Sequence, residues 1–313
     1  MAHVAFLDTV HEVLWERLTA AGMMCHHAER VSREDVLEGA LNQCEGVVLR
    51  SRLTVDGALL DALPRLKWIA RSGAGLDNID VEEAERRGVR IFSSPEGNAT
   101  AVGEHAVGQL LMLLHKLGAA DRHVRGGGWD REGHRGLELE ARTIGIIGFG
   151  NMGQSFARCL RGFGCRVLAY DKYTSGYNGT WGVEECSLDR LCEEADAVSL
   201  HVPLTSETRG MVNTEWINQL KRPCFLLNTA RGEVVDTEAV LDALDSGALL
   251  GAALDVLEFE KRSLEGLAAR PPALDRLLGH PQVVLSPHVA GWSVESYFKL
   301  SDVLADKILA YRS

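Results

Sequence analysis

The stretch Thr143-Ile144-Gly145-Ile146-Ile147-Gly148-Phe149-Gly150-Asn151-Met152-Gly153 decides how the rest of the chain is read. An apolar, β-branched run ends in Gly148-x-Gly150-x-x-Gly153, and a helical pattern continues to about Arg161. Each glycine has its own task in a strand, turn and helix that hold a pyrophosphate. Gly148 permits the tight turn, Gly150 lets the phosphates approach the backbone, and Gly153 lets helix and strand pack closely. N–H groups at the helix N-terminus then face the phosphates. With 32 glycines in the chain the spacing alone is weak, so context decides. A strand precedes the motif, a helix follows it, and Asp171 stands 18 residues beyond Gly153 at the end of the next apolar run. An acid there accepts hydrogen bonds from the adenosine ribose hydroxyls and repels a 2′-phosphate. Phe149, Asn151 and Met152 complete the loop. NAD is the expected cofactor, with the neighbouring Lys172 working the other way by attracting a 2′-phosphate.

The same alternation runs through the whole chain. Val4–Asp8, Gly46–Leu49, Trp68–Arg71 and Val89–Phe92 read as strands, separated by helical patterns at His11–Ala21, Arg33–Leu41, Asp56–Leu63 and Val81–Arg87. A long helix is expected over Ala101–Val124, ending in Gly126-Gly127-Gly128. From Thr143–Ile147 a second series follows, with strands at Arg166–Tyr170, Ala197–His201, Cys224–Asn228, Ala252–Val256 and Val283–Ser286, and a closing helix at Val294–Ala310. This pattern predicts an α/β protein of two Rossmann-like domains with parallel sheets, the first discontinuous, with a cleft between them. The expected division is 1–97 plus 288–313 for a flavodoxin-like substrate-binding domain and 98–287 for an NAD-binding Rossmann domain.

Composition narrows the function classes. The 313 residues suit two domains, and 46% hydrophobic with 25% charged residues is the balance of a globular enzyme. A net charge of −11 argues against nucleic acid or an anionic membrane as the main partner. No apolar run approaches the ~20 residues of a membrane span. The start, Met1–Asp8, lacks a cationic segment and a cleavage site, so no secretory signal is expected. Seven cysteines without a CxxC pair argue against a disulfide framework and a structural zinc site. Cys25-His26-His27 has no placed thiol or acidic partner, and no metal is expected. The cytoplasm is the expected compartment.

Three side chains fall at carboxyl ends of strands in the second series, where open α/β sheets bind ligands. Arg231, in Asn228-Thr229-Ala230-Arg231-Gly232-Glu233, can fork onto a carboxylate, which suits a 2-hydroxy or 2-keto acid. His288, in Ser286-Pro287-His288-Val289-Ala290-Gly291, can exchange a proton near neutral pH. Glu260 can hold that imidazole in one tautomer and raise its pKa. Together with the dinucleotide loop they make a coherent hydride-transfer site.

At these residues the chain resembles the D-isomer-specific 2-hydroxyacid dehydrogenase family, over essentially its whole length. The resemblance rests on Gly148–Gly153, Asp171, His201-Val202-Pro203-Leu204 with Thr208, Asn228–Asp236, Gly251–Val256 and Pro287–Gly291. It implies that Arg231 binds the substrate carboxylate and carbonyl, and that Glu260 pairs with His288, the acid–base group. It also implies cofactor contacts at Val102, His201, Val202, Pro203, Thr208, Thr229, Ala230, Arg231, Asp255, His288, Ala290 and Gly291. The loop Arg71-Ser72-Gly73-Ala74-Gly75-Leu76-Asp77-Asn78 would hold the substrate, with Ala74 and Gly75 completing the carboxylate clamp through backbone N–H groups. The family usually has Pro after the catalytic Glu, whereas this chain reads Glu258-Phe259-Glu260-Lys261-Arg262, so Glu258 competes for the role. Glu260 is preferred for its distance from Asp255.

Within the family the strongest likeness is to D-3-phosphoglycerate dehydrogenases, through Val48-Leu49-Arg50-Ser51, Ser94-Pro95-Glu96-Gly97-Asn98 and Ser72–Asp80. The expected reaction therefore joins D-3-phosphoglycerate and 3-phosphohydroxypyruvate, with Arg50, Ser51, Ser72, Gly73, Ala74 and Gly75 binding substrate. A 3-phosphate calls for a cation, and Arg50, with Arg52 as a second contact, supplies it. The alternatives are a glyoxylate or hydroxypyruvate reductase and a dinucleotide-sensing binding protein on the same fold. Only 25 residues follow His288, so control through a C-terminal regulatory domain is not expected. A homodimer through Ala101–Val124 and the Gly126–Arg135 arm is expected, since Val107, Leu110–Leu114 and Leu117 exceed what one core needs on one helix.

Overall fold

Most of the strands form where β-branched and apolar residues run for three to six positions between turn residues. In the computed structural model, which describes residues 1–260 and 271–312, the first of them are β1 (His3–Phe6), β2 (Met24–His27), β3 (Gly46–Leu49), β4 (Trp68–Arg71) and β5 (Arg90–Ser93). Between them lie α1 (Glu12–Ala20), α2 (Arg33–Leu37), α3 (Gly57–Asp61) and α4 (Val81–Arg86). The chain continues through α5 (Pro95–Leu114), α6 (Leu117–Arg125), β6 (Thr143–Ile147), α7 (Asn151–Leu160), β7 (Arg166–Tyr170), β8 (Glu184–Glu185), α8 (Leu188–Glu194) and β9 (Ala197–Leu200). It ends with α9 (Thr214–Ile217), β10 (Cys224–Asn228), α10 (Thr237–Ser246), β11 (Leu249–Leu254), α11 (Pro272–Gly279), β12 (Val283–Leu285) and α12 (Val294–Arg312).

Two units divide the chain at Ala99/Thr100 and at Gly291/Trp292, with the segment from Trp292 belonging to the first. The first unit has a parallel sheet in the order β2-β1-β3-β4-β5, and the second a parallel sheet in the order β12-β11-β10-β9-β6-β7-β8. These are the flavodoxin-like and the dinucleotide-binding doubly wound orders, each with a topological switch beside its first strand. His288, Ala290 and Gly291 fall in the second unit.

Both faces of each sheet are buried, as parallel sheets require. In the second unit Ile144 and Ile146 pack with Leu110, Phe156 and Leu227 on one face, while Leu200, Leu226 and Leu254 pack with Val240 and Leu274 on the other. In the first unit Val47 and Leu49 face Leu59 and Ile69, whereas Val48 joins Phe6, Leu14 and the α12 residues Leu304, Ala305 and Ile308. Arg17 on α1 also reaches Asp302 and Asp306 on α12, each at 2.6 Å.

Two expectations need correction. The single helix over Ala101–Val124 is broken: α5 starts earlier, at Pro95, and ends at Leu114, and Lys116 adopts a left-handed φ of 53° before α6. The strand β2 was missed because its residues are mostly exposed and lack an apolar alternation. No helix among the described residues is long and apolar enough to cross a membrane.

Candidate active site

β6 delivers the chain to a turn that only glycine satisfies. Gly148 has φ +91°, and a Cβ there would stand 2.5 Å from the His201 carbonyl oxygen. A Cβ on Gly153 would lie 2.1 Å from the Gly148 carbonyl oxygen, so the first turn of α7 packs directly on the loop. Gly150 caps α7 with no side-chain hydrogen bond, and the space its Cβ would take is open for 4 Å. Backbone donors of a helix N-terminus beside that open space fit a pyrophosphate. Phe149 contributes backbone only, because its ring is buried and stacks on Tyr177 at 4.5 Å. Asn151 is exposed and Met152 half-buried.

Asp171 follows β7 and faces this loop. Its Oδ2 accepts the Phe149 N–H at 2.7 Å, and its Oδ1 accepts those of Tyr173 and Thr174 at 2.9 Å each. Partial burial pushes this carboxyl up, but the three amide donors outweigh it and hold the group below its ordinary value. An ionised Asp171 suits ribose hydroxyls. Lys172 is drawn away to Glu207 at 2.7 Å, with the Tyr173 hydroxyl on the same carboxylate.

The next strand ends carry the remaining residues. His201 follows β9, with Nε2 2.9 Å from the Ser199 Oγ and a buried Nδ1 without a partner among the described residues. Burial pushes this imidazole down to about 3, so it is neutral. Val202 is half-buried and Pro203 exposed, and the Thr208 Oγ1 donates to the Pro203 carbonyl at 2.6 Å. After β10 the buried Asn228 shapes the loop: its Nδ2 donates to the Arg231 carbonyl at 2.9 Å, and its Oδ1 accepts the Ala230 N–H at 3.0 Å. The Thr229 Oγ1 has no partner among the described residues, Ala230 is buried, and the Arg231 Nη1 donates to the Ala230 carbonyl at 2.7 Å. Val102, on α5, is buried as well.

Glu260 and His288 meet, with Glu260 Oε1 2.9 Å from His288 Nδ1. The carboxylate raises the imidazole pKa above its ordinary value; burial opposes this, Asp255 adds to it, and Arg231 works against it. Glu258 stands elsewhere, its Oε1 accepting the Thr237 N–H at the start of α10 at 3.1 Å. The difference between the two acids is a turn, closed by the Glu260 N–H on the Leu257 carbonyl at 3.1 Å. Lys261 and Arg262, which follow Glu260, lie outside the described residues.

His288 has a left-handed φ of 54°, a strained conformation for a residue other than glycine. Asp255, 1% exposed, holds this loop. Its carboxylate accepts the N–H groups of Val289 and Ala290 at 2.9 and 2.8 Å and the Ser286 hydroxyl at 2.6 Å. Ser286 also meets His105 at 2.9 Å and Gln109 at 3.0 Å, both from α5. Sequence reasoning missed His105, Gln109 and Ser286; the signal was His105 and Gln109, four apart and so one helical turn, set among the buried apolar positions Val102, Ala106 and Leu110.

In the first unit the Arg50 guanidinium lies over the Trp292 ring, 4.2 Å from its centroid, and the Arg50 backbone N–H donates to Asp8 Oδ2 at 2.6 Å. Burial pushes the guanidinium pKa down, while Asp8 and Tyr297 push it up. No acid forms an ion pair with the Arg50 guanidinium among the described residues. Arg52 corrects the expectation of a second phosphate contact. Its guanidinium donates to the carbonyls of Leu7 at 2.7 and 2.9 Å and Val31 at 2.8 Å, and lies 3.6 Å from Asp8, which leaves it structural. Ser51 is exposed and Ser72 buried. Gly73 has φ +152°, and its carbonyl accepts the Ser94 N–H at 2.9 Å. Ala74 and Gly75 are half-buried.

A doubly wound parallel sheet with this glycine loop and the acid after β7 defines a protein that binds a dinucleotide such as NAD. Residues 107–290 match the model of the D-isomer specific 2-hydroxyacid dehydrogenase NAD-binding domain, and the chain belongs to that family. It is 36% identical over 286 residues to a glyoxylate reductase of Korarchaeum cryptofilum, covering 90% of this chain and 83% of that one. It is 33% identical over 275 residues to a D-3-phosphoglycerate dehydrogenase of Bacillus subtilis, covering 88% of this chain and 50% of the relative. The chain thus spans about half the length of that dehydrogenase. Among solved structures, a D-lactate dehydrogenase of Aquifex aeolicus complexed with NAD and lactic acid superposes with a TM-score of 0.82 at 28% identity, over 99% of this chain and 95% of that one.

Proposed function

We propose that this enzyme interconverts D-3-phosphoglycerate and 3-phosphohydroxypyruvate, with Arg231, Glu260 and His288 as its working side chains. Support for the class of reaction comes chiefly from the 2.9 Å Glu260–His288 contact, with Arg231 electrostatically coupled to the same imidazole. Because His288 Nδ1 faces Glu260, Nε2 is the nitrogen left for substrate. In oxidation Nε2 takes the hydroxyl proton; in reduction the protonated ring returns one to the carbonyl oxygen. Arg231 forks onto the substrate carboxylate and polarises the C2 oxygen. When bound, NAD supplies the hydride acceptor. Gly148–Gly153, Asp171, His201–Pro203, Thr208, Thr229, Ala230, Ala290 and Gly291 would hold it.

The phosphorylated substrate is favoured by Arg50, a partly desolvated guanidinium with no acidic ion-pair partner among the described residues. A neutral substrate tail has no use for such a cation, whereas a phosphate offers it nearly two charges. Ser51 and the Ser72–Gly75 loop would add polar contacts. A glyoxylate or hydroxypyruvate reductase is the second reading, favoured by the near full-length match to a glyoxylate reductase and by the loss of Arg52 from the phosphate clamp. Comparing kcat/KM for phosphohydroxypyruvate and hydroxypyruvate decides between them, and no preference for the former refutes the first. A homodimer built on α5, α6 and the arm to Arg135 belongs to the same proposal. It is supported by a cavity of ≈ 600 Å³ lined by Met112, Leu113, Leu137, Phe225, Leu250 and Val283, beside the exposed Leu117 and Val124.

A further inference from the structure

We infer that His105 is a positioning residue for His288, acting through Ser286 and Asp255; the inference rests on the reading of His288 as the acid–base group. The Ser286 hydroxyl has one proton and two lone pairs. Its shortest contact, 2.6 Å, is to Asp255 Oδ1. That carboxylate otherwise accepts backbone N–H groups, so the serine proton lies on this contact. The two lone pairs are left to accept from Gln109 Nε2 at 3.0 Å and from His105 Nε2 at 2.9 Å. His105 therefore carries a proton on Nε2. The opposite end of the Gln109 amide, Oε1, is buried without a partner among the described residues. One α5 turn thus fixes the rotor of Ser286 and aims its proton at Asp255.

The consequence reaches His288 by two routes. Asp255 holds the N–H groups of Val289 and Ala290, which follow the strained His288, and its own carbonyl accepts the His288 N–H at 2.8 Å. Asp255 also raises the His288 pKa directly, beside Glu260, with Arg231 opposing. His105 Nε2 is 3.6 Å from Asp255 Oδ1. Removing its donor weakens the serine's hold on the carboxylate and leaves more negative charge facing His288.

The test compares His105→Leu with His105→Gln, whose amide nitrogen reaches the same lone pair, in the full chain with NADH and a 2-keto acid. For His105→Leu the expected result is a kcat lowered about tenfold, the KM for NADH held within about twofold, and the His288 limb of the pH profile moved up by about half a unit. His105→Gln should recover kcat to within about threefold and return the limb. Wild-type kcat and limb in His105→Leu overturn the inference, as does equal loss in both variants or a lowered kcat with an unmoved limb. If His105→Leu does not fold, His105→Asn, too short to reach Ser286, takes its place under the same criteria. His288→Ala separates the two readings. If it keeps turnover, the role given to His288 falls; if it loses turnover while His105→Leu behaves as wild type, only the inference about His105 falls.

Discussion

Replacing Glu260 with Gln removes a charge and keeps the shape. In the structure Glu260 Oε1 sits 2.9 Å from His288 Nδ1, with His288 55% and Glu260 26% exposed. A hydrogen bond to a charged partner is worth ~1.5–3 kcal/mol when shielded from solvent. The exposure of His288 screens this pair, so about 1 kcal/mol is the fair figure. At 1.36 kcal/mol per pKa unit the imidazole should fall by roughly 0.7 unit. The sign follows from the contact: Glu260 raises the His288 pKa by favouring the imidazolium, so its loss favours the neutral ring. Keto-acid reduction, which needs the imidazolium, should then fade at a lower pH in Glu260→Gln, and hydroxy-acid oxidation should switch on at a lower pH. The assay is kcat/KM by NADH absorbance across the pH range in both directions, with Glu258→Gln in parallel. An unmoved limb in Glu260→Gln together with a shifted one in Glu258→Gln would refute the argument and reassign the carboxylate.

Asp171→Ala should weaken NAD use and relieve the discrimination against NADP, measured as the ratio of kcat/KM for the two nucleotides; a wild-type preference for NADP contradicts the role given to Asp171. Arg50→Ala should cost phosphohydroxypyruvate roughly ten- to a hundredfold in kcat/KM and leave hydroxypyruvate nearly untouched, as the loss of a charge-assisted contact of ~1.5–3 kcal/mol requires. Equal losses for the two substrates would remove Arg50 from substrate selection. Gly153→Ala should abolish dinucleotide binding in a fluorescence titration, because its Cβ would stand 2.1 Å from a backbone carbonyl; retained affinity contradicts the packing described for the loop. Light scattering at micromolar concentration should give twice the chain mass, and a monomer would remove the proposed interface.

Much of this was legible in the residues, for reasons that differ by position. The glycine loop and Asp171 were readable because Gly148 is required by its φ of +91° and Gly153 by a carbonyl oxygen 2.1 Å from where its Cβ would stand. The central strands were readable because burial on both faces demands continuous apolar runs. The edge strand β2 has no such demand, and Met24-Cys25-His26-His27 carries no period to detect. The break at Lys116 was hidden because only His115 and Lys116 part Leu114 from Leu117, with no Pro to mark it. Arg50 and Arg52 read alike in sequence. Only the fold shows that one side chain turns back onto the Leu7 and Val31 carbonyls while the other lies on Trp292. Glu258 and Glu260 were separable only once the turn after β11 placed them on different partners.

The central claim is that His288 moves the proton in an NAD-linked interconversion of 2-hydroxy and 2-keto acids. Its most direct test is NADH turnover with a panel of 2-keto acids by the wild-type chain and by His288→Ala, with nucleotide binding measured on both. The account predicts turnover by the wild type, a loss of about 10²–10⁴-fold in His288→Ala, and dinucleotide affinity little changed. Turnover in His288→Ala within a few fold of wild type would contradict it.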